Sequence, residues 1–254
     1  MRKLIRIVVI LILTGFIPAL SLSQSVTHRQ AEAHTCNITP SSVEAGDDTP
    51  QQTEGPYFVD TILKRSDIRS DPTNHLVQQG IPLQLVFHIY KVKPNGSCVP
   101  LKRARVDIWN ANSQGVYSDV KAAGTAGKYF LRGYQITNRK GVVQFTTIYP
   151  GWYATRAIHI HIKVRAFTGS KQTLEWTSQF YFDDAVNNDV HTQPPYSQHG
   201  SVKWTNEEDY IYNGASTDGL FKKDTGKHLM LNLVKNRKGY LGTFNVVIDT
   251  KQSE

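Results

Sequence analysis

The sequence predicts an all-β fold, an antiparallel β-sandwich. Strand-like segments recur at short intervals, separated by Gly, Asn and Pro, which is the spacing of a sandwich. The chain is rich in Tyr, Val, Ile and Thr and holds only 2 Met, a composition that leans towards strands. No long amphipathic helix, internal repeat or low-complexity tract interrupts the pattern.

The elements follow in order. Residues 1–23 read as a secretory signal peptide: Arg2, Lys3 and Arg6, then an apolar run, then small residues at Ser21 and Ser23, with cleavage expected after Ser23. The mature protein is then expected outside the cell, with no membrane segment. Residues 24–50 are polar and aperiodic and read as a flexible arm, ordered only near Cys36. The catalytic domain is expected over 51–254, beginning with the Gly-Pro turn of "TEGPYF" (53–58). Strands are expected within "IPLQLVFHIYKV" (81–92), "ARVDIWNA" (104–111), "KYFLRGYQIT" (128–137), "GVVQFTTIYP" (141–150), "AIHIHIKVRAF" (157–167), "LEWTSQFYF" (174–182) and "TFNVVID" (243–249). "DVHTQPPYSQHG" and "STDGLFKKDT" read as long irregular connections.

The formal charge is +8, falling to +5 once residues 1–23 are removed. The basic residues are scattered and form no aromatic-interleaved stripe, so a nucleic-acid partner is not expected. Lys163 and Arg165 read as plain surface charges. Cys36 and Cys98 are the two cysteines, and in a secreted chain an isolated pair most simply forms one disulfide. Closing a loop of roughly 60 residues is worth about 4 kcal/mol in the chain-entropy model. Asn37 and Asn95 head glycosylation sequons beside those cysteines.

The chemistry concentrates in "GWYATRAIHIHIKV" (151–164). Strict alternation from Ala157 puts Ile158, Ile160, Ile162 and Val164 on one face and His159, His161 and Lys163 on the other. Two imidazoles at i and i+2 can reach one metal ion. Three kinds of metal site compete. A cupin-like site lacks its carboxylate, because Val164, Arg165, Ala166 and Phe167 follow. A hydrolytic zinc site needs a third ligand, for which Asp183 and Asp184 are distant candidates. A hard ferric ion favours phenolates completed by imidazoles, and Tyr117 and Tyr153 stand at strand–loop junctions. Bound cations lower the pKa of coordinated acids, which makes tyrosinate accessible.

Together, "TEGPYFVD", "ARVDIWNANSQGVYSD", "FLRGYQITNRKGVVQFTTIYPGWYATRAIHIHIKV" and "TSQFYFDD" resemble the intradiol ring-cleavage dioxygenases, the family of protocatechuate and catechol dioxygenases. The similarity is closest to secreted single-chain members. It implies a sandwich with long loops around a mononuclear Fe(III) site, with Tyr117, Tyr153, His159 and His161 as ligands. It assigns Arg156 to charge stabilisation on the substrate and Gln179 to a place beside the metal, with Tyr153 doubling as a base. Tyr57 and Trp109 would line the pocket. The substrates implied are a catechol and O2, cleaved between the two hydroxyl-bearing carbons to a muconate-type diacid by a monomer. Asn110, Ala111 and Asn112 depart from the family's usual residues after "DIW". A secreted transthyretin-like sandwich that only binds ligands is the alternative outside enzymes. A copper radical oxidase is a further one, disfavoured because both cysteines lie far from the tyrosines in sequence. Arg156 would share the Ile158 face if the strand began early. It must therefore sit in the turn after Tyr153 to reach the site.

Overall fold

The structure is a computed structural model that describes residues 48–214 and 224–249. The signal peptide, most of the arm, Cys36 and Asn37 lie outside the described residues.

The expected segments carry β1 (Pro82–Val92), β3 (Arg105–Trp109), β4 (Arg132–Ile136), β5 (Val142–Ile148), β6 (His159–Thr168), β7 (Lys171–Tyr181) and β9 (Gly239–Ile248). Two short strands join them, β2 (Cys98–Pro100) and β8 (Asn232–Asn236). Among the described residues one α-helix, α1 (Asp184–His191), runs into what reads as an irregular connection and is capped by Asp183 accepting from Ala185 and Val186 N–H. Among the described residues no helix is long and apolar enough to cross a membrane.

The strands form two sheets. One runs β4-β3-β6-β7, antiparallel throughout. In the other, β1 takes β5 and β2 on one edge and β9 on the other, with β8 outside β9. The sandwich is therefore not wholly antiparallel: β1 and β9 run parallel, from Leu83 opposite Tyr240 to Lys91 opposite Ile248. A parallel pair needs a long crossover, and here all four strands of the other sheet intervene. The inward side chains are those that alternation selects. Leu83, Leu85, Phe87 and Ile89 of β1 meet Ile160, Ile162 and Val164 of β6 in one buried core. Phe180 is wedged between Phe87 and Phe244, with ring centroids 5.1 and 4.2 Å away.

The outward face of β6 is buried as well. A strap of residues 48–61 crosses it. Thr49 N donates to Val247 O on β9 (2.9 Å), and Gln52 N donates to Thr177 O on the edge strand β7 of the other sheet (3.0 Å). This covers the open edge of β7, which would otherwise present unpaired backbone groups. It also corrects the reading of Lys163 and Arg165 as surface charges. Both are buried. Lys163 is paired with Glu54 and Glu175, and Arg165 with Asp60 and Asp107. Phe58 of the strap lies against both cations, 4.6 and 5.6 Å from its centroid. Alternation gives the face of a residue but not what covers that face.

Candidate metal centre

Sequence alternation begins at Ala157, but the paired strand begins at His159. Before it, the chain reverses in a tight turn: Arg156 N donates to Tyr153 O (3.3 Å), and the two residues bridge. The turn holds Thr155 at φ 69°, a left-handed conformation that a β-branched residue seldom adopts. The reversal frees Arg156 from strand alternation and aims it back at Tyr153, as a site role requires.

Each site tyrosine follows a glycine by two positions, and those glycines bring the two loops together. A Cβ on Gly115 (φ +72°) would stand 2.0 Å from Trp152 O, and one on Gly151 would stand 2.5 Å from Ser113 O. Backbone approach of this kind excludes any other residue. Asn112 organises the first loop: its side-chain oxygen accepts from Gln114 and Val116 N–H, both at 3.0 Å. Its carbonyl accepts from Gly151 N–H at 2.9 Å. Asn110 is buried and accepts from Thr147 Oγ1 at 2.9 Å. The departures after "DIW" thus have structural work in this chain.

Four polar atoms converge. His159 Nε2 lies 3.3 Å from Tyr117 Oη, 3.1 Å from Tyr153 Oη and 3.1 Å from His161 Nε2. His159 Nδ1 is 2.6 Å from Ala157 O, so Nδ1 carries the proton and Nε2 presents a lone pair to the cluster. Trp109 stacks flat on His161, 4.8 Å away at 5°. Tyr57 stacks on Tyr117 at 4.6 Å and meets Tyr153 edge-on at 6.4 Å. His161 Nδ1 is buried without a hydrogen-bond partner, and its Cε1 would lie 3.4 Å from a Cβ on Gly55.

Burial, with the charge of Arg156 beside them, keeps both imidazoles neutral, well below their usual range. Burial pushes the Tyr117 phenol well up and that of Tyr153 up to about 12. A cation among these atoms reverses the balance for the phenols, since it favours their ionised form. Two neutral nitrogen donors and two ionisable oxygens facing one another fit a hard trivalent ion. They do not fit the zinc alternative. Among the described residues no cluster of three His, Cys or carboxylate side chains could hold a metal. Asp183 caps α1, and Asp184 accepts from Asn206 N–H.

Arg156 and Gln179 meet. Arg156 Nη2 donates to Gln179 Oε1, and Nη1 lies 3.5 Å from Tyr153 Oη. Burial works against the guanidinium charge, but Tyr153, Tyr181 and Asp209 outweigh it. Gln179 is fixed in turn by donating to Thr53 O at 2.8 Å.

Two supporting residues escaped the sequence. Asp209 receives Arg156 Nε at 3.0 and 3.2 Å. Buried Arg132 donates to Tyr57 O at 3.0 Å, to Ser118 Oγ at 2.7 Å and to Ser118 O at 2.5 Å. It thereby ties the strap to the Tyr117 loop. Neither residue sits in a pattern that announces a role, because both act on backbone or side-chain groups remote in sequence.

Comparison with known proteins points the same way. A family model described as "Dioxygenase" matches residues 53–198. The catechol 1,2-dioxygenase of Acinetobacter baylyi is 32% identical over 110 residues, 41% of this chain and 32% of that protein. Catechol 1,2-dioxygenase 1 of Acinetobacter lwoffii is 28% identical over 156 residues, 54% of this chain and 47% of that protein. This chain thus spans about a third to a half of the length of those curated relatives. A solved intradiol ring-cleavage dioxygenase from Tetranychus urticae superposes with a TM-score of 0.67 at 29% identity, covering 82% of this chain and 97% of that one. With the sandwich, the two-tyrosine, two-histidine cluster and the paired Arg156 and Gln179 all in place, the chain belongs to the intradiol ring-cleavage dioxygenase family, a family of oxidoreductases.

Proposed function

We propose that the protein is a secreted, non-haem Fe(III) dioxygenase that opens catecholic rings between the two hydroxyl-bearing carbons. The observation that carries this reading is the convergence of Tyr117, Tyr153 and His161 on His159 Nε2, with Arg156 alongside. Tyr117, Tyr153, His159 and His161 would hold the ferric ion. When bound, that ion supplies chelation of the two catechol oxygens and activation of the ring towards O2.

The chain's own groups supply the rest. Tyr117 is almost fully buried, whereas Tyr153 is only partly so. Tyr153 Oη is therefore the phenolate placed to take a proton from an incoming substrate hydroxyl. Arg156 offers Nη1 on that same side, and a fixed guanidinium stabilises negative charge that develops on the substrate. Trp109 and Tyr57 make the aromatic walls. The carbon–carbon bond between the hydroxyl-bearing carbons breaks, both atoms of O2 enter the product, and a muconate-type diacid leaves. No external reductant is needed.

Secretion and a Cys36–Cys98 disulfide belong to the same reading, supported by the signal-like N-terminus and the isolated cysteine pair. The test is to purify the protein, measure its metal, follow dioxygen uptake with catechol and identify the product by mass. Iron, a tyrosinate charge-transfer colour and a product heavier than catechol by two oxygen atoms are expected. A colourless, active zinc protein, or no dioxygen uptake over a panel of catechols, would overturn it.

A further inference from the structure

We infer that Asp209 is a positioning residue for Arg156. It fixes the guanidinium by its Nε edge, so that only Nη1 is left to face Tyr153 and the substrate. Asp209 lies 53 residues after Arg156, beyond the stretch matched by the family model, which ends at residue 198.

The carboxylate is fully buried, and every contact it makes serves one end. Oδ2 accepts from Arg156 Nε at 3.0 Å and from Ala157 N–H at 3.0 Å. Oδ1 accepts from Arg156 Nε at 3.2 Å, from Ile211 N–H at 2.8 Å and from Tyr212 N–H at 3.4 Å. It thus grips the arginine side chain, the backbone where the chain enters β6, and its own loop. With Nε held by Asp209 and Nη2 held by Gln179, a planar guanidinium has no rotation left. Its remaining edge points at Tyr153 Oη.

The loop that carries Asp209 is itself tied down. Asn206 N–H donates to both carboxylate oxygens of Asp184, at 3.2 and 3.1 Å, and Asn206 Nδ2 donates to Phe182 O at 2.8 Å. Gln52 of the strap donates to Ile211 O at 2.9 Å. Two remote segments, residues 182–184 and the strap, therefore converge on the loop that carries one carboxylate, which is more support than a surface loop needs. A buried ion pair costs desolvation of both charges, and here the return is a cation of fixed direction beside the candidate centre.

The inference rests on the reading in which Arg156 faces the substrate, and the experiment separates the two. Asp209→Asn keeps the shape but turns an N–H₂ towards groups that are all donors. In the iron-loaded variant, iron content and colour should match the parent, because no ligand is touched. The kcat should fall on the order of 100-fold, the scale of a small misplacement in an active site. The affinity for catechol, titrated without oxygen, should change little. In an Arg156→Ala background the same change should cost almost nothing further, since the two residues act as a unit. The second readout needs no turnover. The Arg156 Nε–H proton in the metal-free protein should exchange slowly in the parent and fast in Asp209→Asn. Additive losses in the double variant, or an unchanged Nε–H exchange rate, would overturn the inference. Should Asp209→Asn fail to fold, Asp209→Glu is read on the same two measurements. If the parent takes up no dioxygen, the functional reading fails and the exchange rates alone decide the role of Asp209.

Discussion

The outward face of β6 carries four polar side chains in a row, and they divide into two halves. His159 and His161 are 2% and 1% exposed, and Lys163 and Arg165 are 5% and 7% exposed. Strand, face and burial are the same, so none of these explains the difference in role. What faces them does. Lys163 and Arg165 meet carboxylates from the strap, β3 and β7, and their charges are balanced without any added group. His159 and His161 meet each other and two phenols, with no carboxylate among them. Buried polar groups normally find complementary partners. The first half is charge-balanced by the protein itself, and on the proposed reading the second is completed by a cation.

The comparison can be broken at each half, and the effects should scale with how incomplete the remainder is. The largest is expected for His161→Ala. It removes one of two nitrogen donors and should abolish iron retention, colour and turnover together, measured by metal analysis and dioxygen uptake.

Next comes Asp107→Ala in the charged half. Asp107 accepts from both Arg105 and Arg165. Removing one member of a buried pair leaves the other uncompensated, typically at a cost of about 3–5 kcal/mol. Denaturant unfolding should show that loss, while the folded fraction keeps its metal. Loss of metal without loss of stability would show that the halves are not separable.

Lys163→Met should cost less. The carboxylates of Glu54 and Glu175 are 38% and 44% exposed, and ion pairs that reach water contribute roughly 0–1 kcal/mol. The difference between parent and variant should shrink further in high salt.

The smallest effect is the acid limit of the charged half. Hydrogen bonding from Arg165, against an opposing burial effect, holds the Asp60 carboxyl below its ordinary value of 3.8. Burial raises Glu175, but hydrogen bonds from Lys163 and Gln172 bring it below its ordinary value of 4.5. Folded values below unfolded ones give stability that is present above those ordinary values and lost as the pH falls beneath them. Urea midpoints should therefore be flat from neutral pH down to the ordinary carboxylate range and decline below it. A midpoint that rose on acidification would contradict the assignment.

How much of this was legible in the sequence follows from the same division. Alternation exposed the strands that bury one apolar face, and the H-x-H pair with the loop tyrosines pointed to the four side chains that converge in the candidate centre. β8 was not legible because it is mostly exposed, with no buried residue to set a period. Helix α1 was not legible because only Val186 and Val190 among its apolar residues face the core, alongside Asn187 and His191. The charged half was misread because its cover comes from residues 54–60, about a hundred positions upstream. Asp209 and Arg132 stayed hidden for a related reason: their partners are backbone atoms and side chains on other loops, which no local pattern encodes. The family resemblance carried the candidate ligands over residue by residue but had nothing to say about the groups that position them.

The parallel pairing of β1 with β9 has a consequence for how the chain reaches this state. Leu83 finds its neighbour Tyr240 only after nearly the whole described chain has been made, and Thr49 is secured by Val247 later still. Contacts so distant in sequence demand loop closure before they return any stabilisation, and folding dominated by them is slow. A growing chain halted short of Gly239 holds β1 with an open edge and the strap with one anchor missing. Maturation of this protein is therefore expected to follow synthesis and not to accompany it. The strap that brings Tyr57 to the candidate centre, although made first, gains its Val247 anchor only when the last strand closes the sheet.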